Sequence, residues 1–281
     1  MFVDGSSHIF RAYYGVPTGV RSPDGRSVNA VQGIMETLTR LITTRHPQHI
    51  AVADDEDWRP AWRVELIPGY KAHRTAEPVP PGLIPQLPVI HEFLGAIGVD
   101  FVGVREYEAE DVIASWTAKT SGTVEIASGD RDLFALIEDM RVRVLYPEKT
   151  GLAVVDEAEV SRRYGIPGRA YADFAILRGD PSDGLPGLKG VGPASAAQLI
   201  RSHGGVAGVL RDGRVADHDR DYLERAMRVV PPVADLPIAV PAGRRDSYPV
   251  DASGLTALTT RHGLAAASDR LVNALSKMTS G

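Results

Sequence analysis

The sequence predicts an α/β fold in which a central, largely parallel sheet is flanked by helices. Short apolar, β-branched runs alternate with helical patterns from the amino terminus to about residue 165, and this alternation is typical of parallel sheets. After about residue 168, helical segments separated by glycine and proline turns dominate, which indicates a helical subdomain packed on the sheet. The predicted strands are 2–4, 50–54, 99–104, 124–128, 142–146 and 152–155.

Amphipathic helical patterns lie between these strands, with apolar residues repeating at i, i+3 and i+4 on one face. The clearest example spans residues 28–42. We divide the chain into an α/β core, residues 1–168, and a helical subdomain, residues 169–281. Further helices are predicted at 83–97, 107–119, 169–178, 193–203, 206–210, 219–230 and 264–276, with a strand-like run at 246–250.

Composition restricts the class of protein. The 281 residues are 43% hydrophobic and 24% charged, as in an ordinary globular protein, and the absence of cysteine excludes disulfides and thiolate metal sites. No run of 18 apolar residues and no signal-peptide pattern occurs, so we expect a cytoplasmic protein with no membrane partner. The net charge of −5 argues at first against a nucleic-acid partner. Acids gathered around bound cations would leave the binding face free to be basic.

Nine carboxylates fall where predicted strands end, or on loops that can reach the same edge. Asp4 and Asp54 end the first two strands. In open parallel sheets, sites form at the carboxyl ends of strands, so we expect these side chains to converge. The set comprises Asp4, Asp54, Glu108, Glu110, Asp111, Asp130, Asp132, Asp180 and Asp183.

Electrostatics limits how such a cluster can exist. Two carboxylates about 4 Å apart repel by on the order of 4 kcal/mol at an effective dielectric constant of about 20. A protein that is stable by only about 5–15 kcal/mol cannot hold nine such groups together unpaired. Cations or protonation are therefore required, and all-oxygen ligands favour Mg²⁺ or Mn²⁺ over zinc. Each acid alone also has a structural interpretation, since Asp132, for example, is placed to cap a helix.

A glycine-rich hairpin follows the last two acids. Residues 180–196 contain Asp-Pro-Ser-Asp, then Gly-Val-Gly at 190–192, then a helix of small residues. A glycine turn at a helix N-terminus presents backbone N–H groups to a phosphate, although an ordinary loop is also rich in these turn residues. Metal ligands beside a phosphate site indicate an enzyme that acts on a nucleic-acid backbone.

The order of the motifs supports a specific family. The chain resembles, over nearly its whole length, the 5′-nuclease family, which comprises flap endonucleases and the amino-terminal 5′-3′ exonuclease domain of bacterial DNA polymerase I. The motifs that carry the resemblance are Val3-Asp4-Gly5, Arg11-Ala12-Tyr13, Tyr70-Lys71-Ala72-His73-Arg74, Tyr107-Glu108-Ala109-Glu110-Asp111-Val112, Ser128-Gly129-Asp130-Arg131-Asp132-Leu133 and Gly179-Asp180-Pro181-Ser182-Asp183 leading into Gly190-Val191-Gly192-Pro193.

The resemblance implies a PIN-like nuclease core that holds two or three Mg²⁺ or Mn²⁺ ions at the nine carboxylates. It also implies a helical arch near 70–98, over which single-stranded DNA passes. A helix–three-turn–helix element at about 178–200 would grip the duplex backbone, and its hairpin would hold K⁺ through main-chain carbonyl groups.

Roles for individual residues follow from the same resemblance. Lys71 and Arg74 are candidates for a cationic clamp on the scissile phosphate, with Arg11 and Arg63 as second candidates. Without the resemblance, Lys71 and Arg74 fit a solvated charged turn equally well. Tyr70 or Tyr13 is expected to stack on a base or to lie in the core. The expected DNA contacts of the hairpin are Lys189, Gly190, Val191, Gly192 and Ser195.

The chain departs from the family pattern at several positions. Aspartate is usual in the family where Glu110 stands, asparagine is usual where Gly184 stands, and a lysine is usual near Ala194 or Ser195. The segment between Asp54 and Trp62-Arg63 is about two residues longer than is usual in the family. Asp55 or Asp57 is therefore an alternative to Asp54 as the ligand.

We therefore expect a bacterial, nucleoid-associated, structure-specific 5′-nuclease that hydrolyses DNA at 5′ flaps, nicks and 5′ ends, acts as a monomer and serves replication and repair. The alternatives are a catalytically weak DNA-binding relative, a ribonuclease of related fold, and a phosphoryl enzyme that uses Asp130 and Asp132 on small esters. No polymerase domain follows residue 281, so we expect a free-standing nuclease or an excised domain.

Overall fold

The computed structural model describes residues 1–76, 79–149, 151–213 and 215–278. The described strands are β1 Phe2–Asp4, β2 Ala51–Asp54, β3 Asp100–Gly103, β4 Val124–Ala127, β5 Val142–Glu148 and β6 Gly151–Val155. The described α-helices are α1 Gly5–Gly15, α2 Asn29–Arg45, α3 Ala61–Leu66, α4 His73–Ala76, α5 Leu87–Ile97, α6 Ala109–Lys119, α7 Glu157–Tyr164, α8 Tyr171–Arg178, α9 Pro193–His203, α10 Val206–Arg211, α11 Asp217–Val229, α12 Ala252–His262 and α13 Ala265–Met278.

Two compact units, both discontinuous in sequence, make up the chain. The first unit comprises Met1–Asp55, Val79–Gly103 and Ala239–Gly281, and the second unit comprises Glu56–Pro78 and Val104–Ile238. The second unit spans the boundary predicted near residue 168, because β4 to β6 and α7 to α11 belong to it.

In the first unit, β1 to β3 are parallel in the order β3-β2-β1. Asp4 lies opposite Ala53, and Asp54 lies opposite Gly103. The register therefore places the two strand-end acids within one residue of each other, at the carboxyl ends of neighbouring strands.

Helices with one apolar face cover the strands of the first unit. The face predicted for α2 is buried, since each of the side chains Val31, Ile34, Met35, Leu38, Leu41 and Ile42 is at most 3% exposed. Helix α13 packs against α2, and α12 packs against α5. In α5, Ile90, Phe93, Leu94 and Ile97 are fully buried, so the last part of the predicted arch region is a core helix.

In the second unit, β4 and β5 are parallel and β5 and β6 antiparallel, while α8 and α9 pack together. Phe134, Tyr164, Tyr171 and Phe174 form an aromatic cluster with ring centroids 5.2–6.4 Å apart. Within the described residues, α4 follows the Tyr70–Lys71 segment. Residues 77 and 78 of the predicted arch lie outside the described part of the chain.

The α/β class predicted from the sequence, with mostly parallel strands flanked by helices, is confirmed. The strand-like run predicted at 246–250 is wrong, because these residues form bends and irregular structure. There, the backbone N–H of Arg245 donates to the Tyr248 hydroxyl, and Pro249 has no N–H to give to a strand ladder. Among the helices of the described residues, none is long and apolar enough to cross a membrane.

Candidate metal centre and its cationic surroundings

Three carboxylates of the second unit meet in one group. Glu110, Asp130 and Asp132 each offer an oxygen within 4.8 Å of the others. Glu110 lies in the first turn of α6, and the two aspartates follow β4 on a tight turn. That turn is fixed because the Asp130 N–H donates to the Ser128 hydroxyl (2.8 Å) and the Asp132 N–H donates to Asp130 Oδ1 (2.9 Å).

The three carboxyl groups resist ionisation in this arrangement. Burial raises the pKa of Glu110, Asp130 and Asp132, and repulsion from neighbouring carboxylates, including Glu108 and Asp183, raises these pKa values further. A divalent cation removes this penalty, and an all-oxygen donor set fits Mg²⁺ or Mn²⁺. The chemistry of the side chains present therefore fits the metal predicted from the sequence.

Glu108, next to this group, is surrounded by donors instead. Its carboxylate accepts hydrogen bonds from the Tyr70 hydroxyl (2.8 Å) and from Lys71 Nζ (2.5 Å), and it pairs with Arg63. Arg74 lies 3.5 Å away. Burial alone would raise the pKa of Glu108, but Lys71 and Arg63 outweigh it and lower the pKa below its ordinary value. Glu108 is therefore ionised and paired.

Arg63 is fully buried among the same acids. Its Nη2 contacts Asp111 Oδ1 (2.7 Å) and Glu110 Oε1 (3.4 Å), and its Nε donates to the Val229 carbonyl (3.1 Å). Burial alone would lower the pKa of Arg63, but the surrounding carboxylates raise it above its ordinary value. One guanidinium thus links the acids at the start of α6 to the end of α11.

Asp111 was predicted as a metal ligand, but its oxygens are taken by protein donors. Oδ1 accepts from Arg63 and from the Val233 N–H (2.8 Å), and Oδ2 accepts from the Glu108 N–H (3.0 Å). This residue fixes the first turn of α6 and the chain that follows α11.

Asp180 and Asp183, the two acids before the hairpin, behave differently. Asp180 is buried and accepts from the backbone and the side chain of Ser182, and Arg178 Nη2 lies 3.1 Å from its Oδ2. Asp183 is close enough for its charge to raise the pKa of both Asp130 and Asp132, but it is not one of the three described carboxylates whose oxygens meet. Asp180 is held in local contacts.

The first unit carries the other two predicted ligands. Asp4 is buried and accepts from the Ser7 N–H (2.9 Å) at the start of α1. Asp54 accepts from the Ser6 hydroxyl (3.4 Å), and His91 Nε2 lies 3.2 Å from its Oδ2. Sequence reasoning missed His91, because the contact joins α5 to β2 across 37 residues and no local spacing signals it.

The remaining predicted residues differ in exposure. Arg11 is exposed in the first unit. Tyr70 is 2% exposed and Lys71 is 1% exposed, so both face the acids and not the solvent in this conformation. Tyr70 thus has a structural contact here, and its ring shows no open face for a base.

The hairpin lies between α8 and α9. Lys189, Gly190, Gly192 and Ser195 are exposed, and Val191 is half-buried, with its N–H donating to the Leu188 carbonyl (3.1 Å). Gly192 precedes α9, whose first residue is Pro193. The first-turn N–H groups of α9 are therefore at an exposed, glycine-lined helix N-terminus, which is the geometry that favours a phosphate.

An α/β fold with a group of three carboxylates and an exposed, glycine-lined helix N-terminus has the parts that a metal-dependent nuclease uses. Residues 1–165 match the family described as 5′-3′ exonuclease, N-terminal resolvase-like domain. A 5′-3′ exonuclease of Streptomyces coelicolor is 45% identical over 299 residues, covering 98% of this chain and 99% of the relative. One from Mycobacterium tuberculosis is 40% identical over 309 residues, covering 98% and 97%. The chain belongs to the 5′-3′ exonuclease family.

The fold agrees with that assignment. The bacteriophage T5 flap endonuclease, solved with DNA and metal ions, matches with a TM-score of 0.68 and 16% identity, covering 100% of this chain and 99% of that chain. At 16% sequence identity, this similarity establishes a shared fold and no more. The resemblance, the fold class and the 5′-3′ exonuclease function predicted from the sequence are thus confirmed.

Proposed function

We propose that this protein hydrolyses DNA phosphodiesters at 5′ ends, nicks and 5′ flaps with two or more bound Mg²⁺ or Mn²⁺ ions, and that it leaves a 5′-phosphate. The observation that carries the proposal is the group of buried Glu110, half-buried Asp130 and buried Asp132, whose oxygens lie within 4.8 Å of one another. The T5 flap endonuclease of the same fold was crystallised with DNA and metal ions, which supports this choice of substrate and cofactor.

Ligand roles follow from the contacts of each acid. Glu110, Asp130 and Asp132 are the core ligands in this proposal, with Asp183 as a further candidate. Glu108 is assigned to orienting Tyr70, Lys71 and Arg63, which donate to its oxygens. In the first unit, Asp4 and Asp54 stay candidate ligands. Asp111 and Asp180 orient their neighbours, because protein donors occupy their oxygens. When bound, the divalent ions supply an activated water and neutralise charge on the phosphoryl group.

Cationic side chains act on the substrate phosphate in this proposal. Lys71 and Arg74 form the clamp, supported by their placement around Glu108. Arg74 is 31% exposed and is the more accessible of the two. Removing a preorganised charge of this kind costs about 10²–10³ in rate. Arg63, which is buried, holds the acids, and exposed Arg11 is assigned to the DNA backbone.

The hairpin is assigned to duplex DNA. The exposed residues from Lys189 to Ser195 contact phosphates without reading bases, so the enzyme recognises the shape of the junction. K⁺ at the backbone oxygens of this hairpin belongs to the same proposal, since carbonyl groups are the donors that K⁺ accepts. DNA binding measured in KCl and in NaCl of equal ionic strength tests it: K⁺ should tighten binding, and equal affinities would remove the ion from the proposal.

A cleavage assay tests the function itself. The protein is incubated with a 5′-labelled DNA flap and Mg²⁺, alongside the Asp130→Asn variant and an Asp139→Asn control, in which an exposed acid of the second unit is changed. We expect cutting by the wild type and the control, loss of at least about 10³ in the Asp130→Asn variant, and DNA binding in EDTA unchanged in all three. Retained cutting by Asp130→Asn would refute the assignment, and a matched RNA flap distinguishes a ribonuclease.

A further inference from the structure

Lys71 adopts a backbone conformation that its side chain disfavours. Its φ is +47°, in the left-handed region, although it is not glycine. Its side chain is also 1% exposed, with Nζ 2.5 Å from Glu108 Oε1. A strained conformation at a residue with Cβ costs on the order of 1–3 kcal/mol and persists only where the surroundings enforce it. The contacts of the segment Pro68–Lys71 show which groups enforce it.

One of these groups is the turn from Asp180 to Leu185. The N–H of Lys71 donates to the Asp183 carbonyl (2.9 Å). The next residue, Gly184, has φ +69°, and a Cβ built on it would lie 1.9 Å from the Gly69 carbonyl oxygen and 3.4 Å from the Lys71 nitrogen. Because this contact is with backbone, no side-chain rotation relieves it. Only glycine at position 184 lets the Gly69–Lys71 backbone approach so closely.

The turn itself is a rigid support. Asp180 and Leu185 exchange two backbone hydrogen bonds, at 3.1 Å and 2.9 Å, and the Asp183 N–H donates to the Asp180 carbonyl (3.1 Å). The Asp183 carbonyl that receives Lys71 is therefore fixed.

Arg59 holds the segment from a second direction. Its Nε donates to the Tyr70 carbonyl (2.7 Å), and its Nη2 donates to the Pro68 carbonyl (2.8 Å). Two bonds from a planar guanidinium fix both the position and the orientation of the backbone on either side of Gly69. In the described hydrogen bonds and ion pairs, Arg59 contacts none of Glu108, Glu110, Asp130 and Asp132, and its backbone N–H donates to Asp57 Oδ1 (3.1 Å).

We infer that Gly184 and Arg59 are positioning residues for cleavage, and that they act through Lys71 by locking the Pro68–Lys71 backbone against the Asp180–Leu185 turn. This inference rests on the proposed function, in which Lys71 binds the scissile phosphate. A misplacement of about 1 Å at a catalytic group can cost about 10²-fold in rate, so a backbone lock of this kind affects turnover without contacting the substrate.

The test is a double-mutant cycle measured as single-turnover flap cleavage. The single variants are Gly184→Ala, Arg59→Met and Lys71→Met. The two double variants combine Gly184→Ala or Arg59→Met with Lys71→Met. Gly25→Ala is the matched control, because Gly25 also has a left-handed φ (+85°) but a Cβ there meets nothing within 4 Å. The control therefore reports the cost of backbone strain alone, and melting temperatures are recorded for every variant.

We expect Gly184→Ala and Arg59→Met each to lower the maximal single-turnover rate about 10- to 100-fold. The enzyme concentration that gives half of that rate should change less than about threefold, and Gly25→Ala should keep the wild-type rate. In the Lys71→Met background, the same two changes lower the rate by less than about twofold, because the group they position is gone. Arg59→Lys, which keeps one donor group, recovers part of the rate lost in Arg59→Met.

Two results would overturn the inference while leaving the proposed function standing: wild-type rates in Gly184→Ala and Arg59→Met, or the same fold-loss with and without Lys71. Should Gly184→Ala fail to fold, the Arg59 cycle decides alone. Failure of the proposed function is distinguishable, since the wild type would then not cut the flap or Lys71→Met would cut it at full rate.

Discussion

At the scale of single residues, the centre depends on how buried charges are matched. Arg63 has no exposed surface, yet its guanidinium contacts three carboxylates and one backbone carbonyl. Removing one partner of a buried charge network leaves the others uncompensated, which destabilises a protein more than the loss of a surface ion pair does.

We therefore predict that Arg63→Met lowers the free energy of unfolding of the metal-free protein by about 3–5 kcal/mol. Urea unfolding followed by circular dichroism in EDTA measures this change. The control is Arg162→Met, which removes an exposed arginine paired with Glu159 one helical turn away, and which should leave the midpoint unchanged. Equal midpoints for the two variants would show that the acids of α6 do not need their buried cation.

The burial of Arg63 and Lys71 could not be predicted from the sequence. A charged residue between a tryptophan and a valine, as Arg63 is, or between a tyrosine and an alanine, as Lys71 is, is typical of a surface position. The acidic partners that accompany the burial of these two residues lie 37 to 48 residues away in the sequence. The position of Asp130 and Asp132 in a site was predictable, because both residues follow a strand and sites of open parallel sheets form at the carboxyl ends of strands.

At the scale of elements, local pattern predicted most of the secondary structure. Helix α2 has the predicted apolar face, and α9 begins at the predicted proline. The run at 246–250 failed because alternation over five residues carries little information once a proline interrupts it. The division into units was not predictable from pattern, because 239–281 joins the first unit through long-range contacts, namely the packing of α12 and α13 and the hydrogen bonds of Gly243.

The hairpin before α9 gives a prediction at this scale. Lys189→Met should weaken binding to duplex DNA equally for all sequences and reduce the slope of log affinity against log salt by about 1, because one phosphate contact is lost. Lys277→Met, an exposed lysine near the end of α13, is the control and should keep the wild-type slope. Fluorescence anisotropy in EDTA at several KCl concentrations measures both. An unchanged slope in Lys189→Met would exclude this lysine from the DNA contact.

At the scale of the whole molecule, the metal-free centre makes stability depend on pH. The pKa values of Glu110, Asp130 and Asp132 are raised above their ordinary values. At a pH between the ordinary and the raised pKa values, the folded protein therefore binds more protons than the unfolded chain does. Stability from these groups is present below about pH 4 and is lost as the pH rises through the raised values. Glu108, whose pKa is lowered, acts oppositely and loses its contribution as the pH falls.

We accordingly predict that in EDTA the urea midpoint falls as the pH rises above about 4, the ordinary pKa of these carboxyl groups, and that Mg²⁺ abolishes the fall. An ion present at about 100 times its Kd should stabilise the folded protein by about 2.7 kcal/mol. The Asp130→Asn, Asp132→Asn double variant removes two of the carboxylates and should show a flatter profile with a weaker response to Mg²⁺. A midpoint that rises with pH in EDTA, or that ignores Mg²⁺, would contradict a clustered divalent site.

The return of residues 239–281 to the first unit has a consequence for biosynthesis. Helix α2 emerges from the ribosome early, but its neighbour α13 is translated more than 200 residues later, and Glu36 then meets Arg270. Until that moment the part of α2 that packs against α13 is uncovered. We therefore expect a product truncated before α12 to expose apolar surface of α2 that the folded protein buries, and to be cut by proteases more readily than the full chain.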